Sequence, residues 1–568
     1  MVGATRYVGP IRSLRFLFAT GLLSTLLLGW LAISPTPARA DLKGPEASDR
    51  QVTLVVSSLL RRQHLSKHPL DDEISRRGLD NFLDSLDAMK VYFTQADVDE
   101  FMENREKLDD MAKRGDISYG YTIFNRFLKR IDERLELVEK NLNAEHDFTI
   151  DENVVIDPDV ARYAVNDKEV AEKWRKRIKF DLLRLKVDDE ITGEEAIDKL
   201  RRRYNSFAKR MHQTNHDELL EMYLTAITTG FDPHTTYMSP GTLENFDISM
   251  KLKLEGIGAA LMVEDGYTVI TKVIPGGAAD RHGKANPNEA LKPQDRIVSV
   301  GQGKEGGEMV ETLDMKLSDV VAMIRGKADT IVRLGIVPDG ETKTKVYTIT
   351  RAAVELKDSE ARARVRTQGK KLDGTPFKVG IIDLPSFYMD MQGAREGLAD
   401  YKSTTRDVKK ILSEGYKNAE GKEMPSFKEQ GVDALILDLR RNGGGSLTEA
   451  INLTGLFIDQ GPVVQVKDSD GRVQHYDDLD RGIAWDGPMA VVTSKFSASA
   501  SEILAGAIQD YNRGIIVGDQ ATHGKGTVQS LLDLGSQLFR APNAPNLGAL
   551  KITMQQFYRP NGDSTQKR

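Results

Sequence analysis

Hydrophobic positions recur with helical spacing through the first part of the chain. Leu79, Phe82, Leu83, Leu86 and Met89 fall on one helix face, as do Ile123, Phe124, Phe127, Leu128, Ile131, Leu135 and Val138. The pattern predicts amphipathic helices across residues 41–245. It breaks at residues 231–237, Phe-Asp-Pro-His-Thr-Thr-Tyr, which read as loop beside a domain boundary. From 251 to 351 the period shortens to that of strands: 267–273, 296–300 and 330–336 are β-rich runs between glycine turns, with one helical stretch at 317–325 and a loop over 281–292. From 378 onward, short apolar runs at 379–384, 434–439, 489–492 and 515–517 alternate with helical patterns, as in a buried sheet covered by helices. A separate apolar run, 16–33, stands near the N-terminus.

The expected fold class is therefore multidomain α+β: an N-terminal helical domain, a β-rich domain with short helices, and an α/β core of sheet covered by helices. A length of 568 residues agrees, since domains of roughly 100–200 residues allow three to five of them. The 40% apolar and 29% charged composition excludes a disordered chain and a polytopic membrane protein. The formal charge of -6 becomes -10 once the four arginines of residues 1–40 are set aside, which argues against a nucleic-acid partner. The absence of cysteine removes disulfides, thiolate metal sites and a cysteine nucleophile. Arg12 and Arg15 before the apolar run, and Ala38-Arg39-Ala40 after it, read as a signal peptide over 1–40, with an uncleaved anchor as the alternative. No later segment is apolar enough to span a membrane, so the expected location is the periplasm or another exported site, attached to the inner membrane if the signal stays on.

Candidate chemistry lies in the last region. Residues 439–450 run from a strand through Gly443, Gly444 and Gly445 into a helix, a natural cradle for an anion. The run lacks the ending of a P-loop and the spacing of a dinucleotide fingerprint, so an oxyanion hole fits better. Ser499 opens a helix predicted to reach Tyr511, where Ser499 and Glu502 also have the spacing of a capping box. Lys525 sits between Gly524 and Gly526 ahead of a strand, with Gln529 four residues on and read as sharing its face. A lysine serving as general base must come from ~10.4 to ~7–8, roughly 4 kcal/mol supplied by desolvation. His64 and His68 are four apart, but two histidines without a third ligand make no metal site, and no metal or cofactor is expected.

The stretch 251–351 resembles a PDZ domain through 254–259 (Leu-Glu-Gly-Ile-Gly-Ala), 275–278 (Pro-Gly-Gly-Ala) and 293–297 (Pro-Gln-Asp-Arg-Ile). In such a module Gly256, Ile257, Gly258 and Ala259 would cradle a peptide carboxylate, and the next strand would offer an edge for strand addition. Together with Asn442–Gly445, 497–502 (Ser-Ala-Ser-Ala-Ser-Glu) and 524–529 (Gly-Lys-Gly-Thr-Val-Gln), this motif is similar to the tail-specific, or carboxy-terminal processing, proteases over residues 45–568. The resemblance implies a serine endopeptidase with a Ser/Lys dyad. Ser499 would be the nucleophile, Lys525 the base, Gln529 its support, and the amides of Gly444 or Gly445 and of Ala500 the oxyanion hole. It also implies an acid at Asp510, although eleven helical residues put that side chain ~16 Å from Ser499, so a structural role is the better reading. His523, where an aromatic is common, is a rival base.

These features divide the chain into a signal at 1–40, a helical domain at 41–245, a PDZ domain at 246–352 and a protease domain at 353–568. The expected partners are protein or peptide substrates with apolar C-termini, with an adaptor protein possible. The alternative is a catalytically inactive peptide-binding protein. Longer family members continue beyond Gln566, so the chain is expected to be truncated, and the 550–558 strand, pairing near Lys525, to be left with an unpaired edge.

Overall fold

The computed structural model describes residues 44–566 except 305, 419, 420, 540, 542 and 543. The signal expected at 1–40 lies outside them. The multidomain α+β class holds, with a helical N-terminal region, a β-rich module and an α/β core. Among the described residues no helix is long and apolar enough to cross a membrane.

The helical stripes become buried faces. Leu79, Phe82 and Leu83 of the helix Asp72–Asp87 and Phe124, Phe127 and Ile131 of the helix Ser118–Leu142 share one core with Tyr223 and Leu224. The edge contact of Phe82 on Tyr223, with ring centroids 5.2 Å apart, adds geometric specificity to that burial. The segment at 231–237, read as loop, carries a strand that pairs with the far end of the chain. Residues Thr236–Met238 form a strand paired with residues 549–551, and Tyr237 is buried in the helical core with its hydroxyl donating to the Leu547 carbonyl at 3.0 Å. Leu550 and Ile552, far along the chain, complete that same core. A helix, Pro240–Lys251, then crosses from the helical region toward the β-rich module.

In the β-rich module a six-stranded sheet runs from Ala259–Glu264 at one edge to Lys345–Thr350 at the other. The strands Lys253–Gly256 and Ala352–Glu355, which enter and leave it, pair with each other. The segment read as loop over 281–292 instead begins in a helix, Ala278–Ala285. Ala278 and Ala279 pack into the core, and Lys284 pairs with Asp280 one turn back, which sustains the helix through Gly283.

The α/β core holds a five-stranded sheet in which Phe377–Asp383, Ala434–Asp438, Met489–Thr493 and Ile515–Gly518 run parallel, with Arg362–Gln368 antiparallel at the edge. A second, antiparallel sheet gathers Thr236–Met238, Gly461–Asp468, Val473–Asp478, the lysine strand Thr527–Asp533 and the shared strand Ala549–Tyr558. The shared strand is not an unpaired edge. It pairs with the lysine strand on one side and with Thr236–Met238 and Gly461–Asp468 on the other, because the helical region supplies a strand the sequence pattern concealed.

Since Ile552 belongs to the helical core and to the shared strand alike, Ile552→Ala should cost about 2–5 kcal/mol. The loss should appear in the helical signal and in the environment of Trp485 within one urea transition. Two separated transitions, with only one of them shifted, would show that the two regions are independent.

Candidate active site

The glycine turn and the serine helix Ala500–Asp510 are joined by Asn442, which is fully buried. Its Nδ2 donates to the Leu384 carbonyl at 3.0 Å and its Oδ1 accepts the Gly444 N–H at 2.9 Å. Its own carbonyl accepts the Ala498 N–H at 3.2 Å and the Ser501 hydroxyl at 2.9 Å. Close approach explains the glycines. A Cβ on Gly444 would come within 2.8 Å of the Ser499 Cβ, and one on Gly445 would collide with the Phe387 carbonyl.

Three serines stand together, and their surroundings separate them. Ser497 and Ser501 are wholly buried, and their hydroxyls donate to the carbonyls of Leu439 and Asn442. Ser499 is only partly buried, and its hydroxyl donates to nothing among the described residues. Its backbone, at φ 57° and ψ -114°, lies where non-glycine residues are strained, and strain of that kind gathers at functional positions. The capping box is present as well: the Ser499 N–H donates to Glu502 at 2.7 Å. The Gly444 amide is taken up by Asn442, whereas the amides of Gly445 and Ala500 have no partner among the described residues. The Ala500 amide also lies at the positive end of the serine helix, which favours a developing negative charge.

Glu502 ties the serine to the lysine loop. Its carboxylate is buried and accepts four donors: the Ser499 N–H at 2.7 Å, the Thr522 hydroxyl at 2.7 Å, the Gly524 N–H at 2.6 Å and the Lys525 N–H at 3.1 Å. Lys525 stands two residues ahead of its strand rather than on it. Gln529 lies on that strand, and the extra residue of the register shift beside it, Met554, belongs to the partner strand Ala549–Tyr558. Lys525 Nζ donates to Gln529 Oε1, and no hydrogen bond joins it to Ser499 Oγ. Burial pushes the Lys525 amine down to about 8, with Lys551 acting in the same direction and Glu502 and Asp232 opposing. His523 is exposed, and its backbone N–H donates to the Ser497 carbonyl.

Asp510 lies at the far end of the serine helix. It is bound by Arg559 and by the backbone and side-chain nitrogens of Asn561, so it anchors the turn after the shared strand and does not face Ser499. In the β-rich module the amides of Ile257 and Gly258 have no partner among the described residues, although the Ile257 side chain is buried. Gly256 and Ala259 sit in strands, paired with Ala352 and Val273. The strand that begins at Ala259 is a sheet edge with Met262 and Val263 exposed, and the helix Leu317–Ile324 lies against it. Asn442 and Asp232 were missed from sequence. Asn442 stood in a quoted motif without a role, and Asp232 lay in the supposed boundary loop.

Residues 55–241 match the tail-specific protease N-terminal domain, and residues 378–568 match peptidase family S41. The tail-specific protease of Haemophilus influenzae is 36% identical over 538 residues, covering 94% of this chain and 71% of the relative. The chain belongs to the tail-specific protease family. The family's enzymes are serine-type peptidases, and that class applies here. A carboxy-terminal processing protease of Bacillus subtilis is 29% identical over 379 residues, covering 66% of each chain. The solved PDZ domain of a carboxy-terminal protease from Vibrio cholerae, in complex with peptide, is 38% identical, covering 18% of this chain and 99% of that one, with a TM-score of 0.16.

In this family member, Glu502→Gln should be far from conservative. Whichever way the amide turns, its NH₂ meets donors, and each buried donor left unpaired costs about 1–3 kcal/mol. Urea unfolding should show a loss of about 2 kcal/mol or more, accompanied by lost peptidase activity. Unchanged stability would mean that Glu502 does not hold the loop.

Proposed function

We propose that this chain is an endopeptidase that takes exported proteins by apolar C-terminal tails and cleaves them with Ser499 as nucleophile and Lys525 as general base. The observation that carries the reading is a partly desolvated lysine, pushed to about 8, whose loop shares one carboxylate with the Ser499 backbone. A serine hydroxyl is a poor nucleophile without a base, and an amine that is neutral near pH 8 supplies one. Lys525 accepts the hydroxyl proton as Ser499 Oγ bonds to the scissile carbonyl carbon. The amides of Gly445 and Ala500 receive the oxyanion. The lysine ammonium then returns its proton to the leaving amine, and water hydrolyses the acyl-serine by the same route. Substrate binding supplies the approach of serine to lysine, since catalytic hydrogen bonds commonly tighten only in the complex.

Residues 246–352 serve as the PDZ domain on this reading, between a helical domain at 41–245 and a protease domain at 353–568. The free amides of Ile257 and Gly258 suit a terminal carboxylate, and the open edge at Ala259–Glu264 suits an extended peptide. Action outside the cytoplasm, in the periplasm, follows the signal expected at 1–40.

Ser499→Ala and Lys525→Ala should each abolish cleavage of an unstructured reporter with an apolar free C-terminus. Wild-type activity should rise with pH through about 8, because the neutral amine is the active form and protonation below that pH removes it. Retained turnover in Lys525→Ala, with its loss in His523→Ala, would reassign the base. Loss in neither lysine nor histidine variant would favour an inactive peptide-binding protein copurifying with another peptidase. Amidating the reporter's C-terminus should weaken its binding, and equal affinity for the amidated and free forms would remove the carboxylate cradle.

A further inference from the structure

Behind Gln529 a chain of hydrogen bonds leads out of the protease core into the helical region. Gln529 Nε2 donates to Thr527 Oγ1 at 2.9 Å and to Thr553 Oγ1 at 3.1 Å. Thr553 Oγ1 donates to Asp232 Oδ1 at 3.0 Å. Asp232 Oδ2 accepts from the Thr235 hydroxyl and from His64 Nε2, the latter at 2.8 Å. The Ser66 N–H donates to His64 Nδ1 at 3.2 Å, so the ring proton facing Asp232 is on Nε2. Backbone bonds run alongside, from the Leu65 N–H to the Thr553 carbonyl and from the Thr553 N–H to the Thr235 hydroxyl.

The direction of this chain is set at its acidic end. Burial pushes the Asp232 carboxyl up, but hydrogen bonds from His64, Thr235, the His234 amide and Thr553 outweigh that and hold it at about 2. An ionised carboxylate only accepts, so the Thr553 hydroxyl must spend its single proton on Asp232. Its oxygen can then only accept from Gln529, which turns the NH₂ of Gln529 toward Thr553 and its carbonyl oxygen toward Lys525. The consequence for a neutral lysine is specific. The amine has two N–H bonds and one lone pair, and a carbonyl neighbour occupies an N–H and leaves the lone pair free. A flipped Gln529 would donate to that lone pair and remove the base.

We propose that Asp232, held by His64, is a positioning residue for Lys525, acting through Thr553 to keep the Gln529 carbonyl facing the lysine amine. The inference rests on the Ser499/Lys525 reading and adds that the helical region completes the catalytic centre. The ionisable groups acting on Lys525 are Lys551 from the shared strand, Glu502 from the serine helix and Asp232 from the 231–237 loop, and His234 also couples to Lys525 and His523. The turn-forming bond from the His234 N–H to Asp232 at 2.9 Å would be a purely structural role for the same carboxylate, and the test must separate the two.

The full chain and the reporter peptide serve, with kcat and KM followed against pH for Asp232→Asn, Thr553→Val, Thr553→Ser and Lys525→Ala. Asp232→Asn and Thr553→Val should lower kcat by about 10- to 100-fold at unchanged KM, the scale of a misplaced catalytic group. Thr553→Ser, which keeps the hydroxyl, should recover most of that loss. Asp232→Asn should also move the activity rise to lower pH while lowering its plateau, because removing a negative charge disfavours the ammonium. Wild-type kcat and pH profile in both Asp232→Asn and Thr553→Val, with Lys525→Ala inactive, would overturn the positioning role and leave the dyad standing. Activity in Lys525→Ala would overturn the dyad itself. Should Asp232→Asn fail to fold, the Thr553 pair decides: equal loss in the serine and valine variants would trace the effect to packing and refute the proposal.

Discussion

A lysine amine held partly out of water is the constraint on which the rest depends. Bringing it from its ordinary range to about 8 corresponds to about 3 kcal/mol that the surroundings must supply. The lysine strand and the shared strand wall it in, Lys551 adds like charge, and Gln529 gives the amine an acceptor without a countercharge. Two carboxylates oppose the shift, and both are engaged elsewhere: Glu502 by four donors, and Asp232 by His64, Thr235, Thr553 and the His234 amide. The site thus keeps its acids nearby for geometry while spending their charge on hydrogen bonds.

This explains why the helical region and the protease core are built into one another. Leu550 and Ile552 face the helical core while their neighbours Lys551 and Thr553 face the lysine, so one strand serves both through simple alternation. The β-rich module joins differently, through the paired strands Lys253–Gly256 and Ala352–Glu355 at its entrance and exit. Ion pairs of Lys316 with Glu218 and of Lys209 with Asp314 also tie the module to the helical region.

What could be read from the sequence was what is local. The buried strands at 379–384, 434–439 and 489–492 and the helix after Ser499 carry their own periodicity, and all four formed. The facing of Lys525 and Gln529 was anticipated from strand alternation, whereas Lys525 stands two residues ahead of the strand that carries Gln529. The helix Ala278–Ala285 escaped notice because only Ala278 and Ala279 are buried, too short a stripe to register as periodic. Asp232 and Thr553 are 321 residues apart, and no spacing rule connects them. The polar run Asp-Pro-His-Thr-Thr read as loop because its partners, His64 on one side and Thr553 on the other, lie far along the chain.

The most direct measurement is an NMR titration of the full chain carrying lysine labelled at Cε, with Lys525 and Lys551 assigned by Lys525→Arg and Lys551→Arg. One resonance should titrate near 8 and vanish in Lys525→Arg. A Lys525 resonance that titrates with the exposed lysines near ~10.4 would contradict the neutral-lysine centre from which the rest of the chemistry follows.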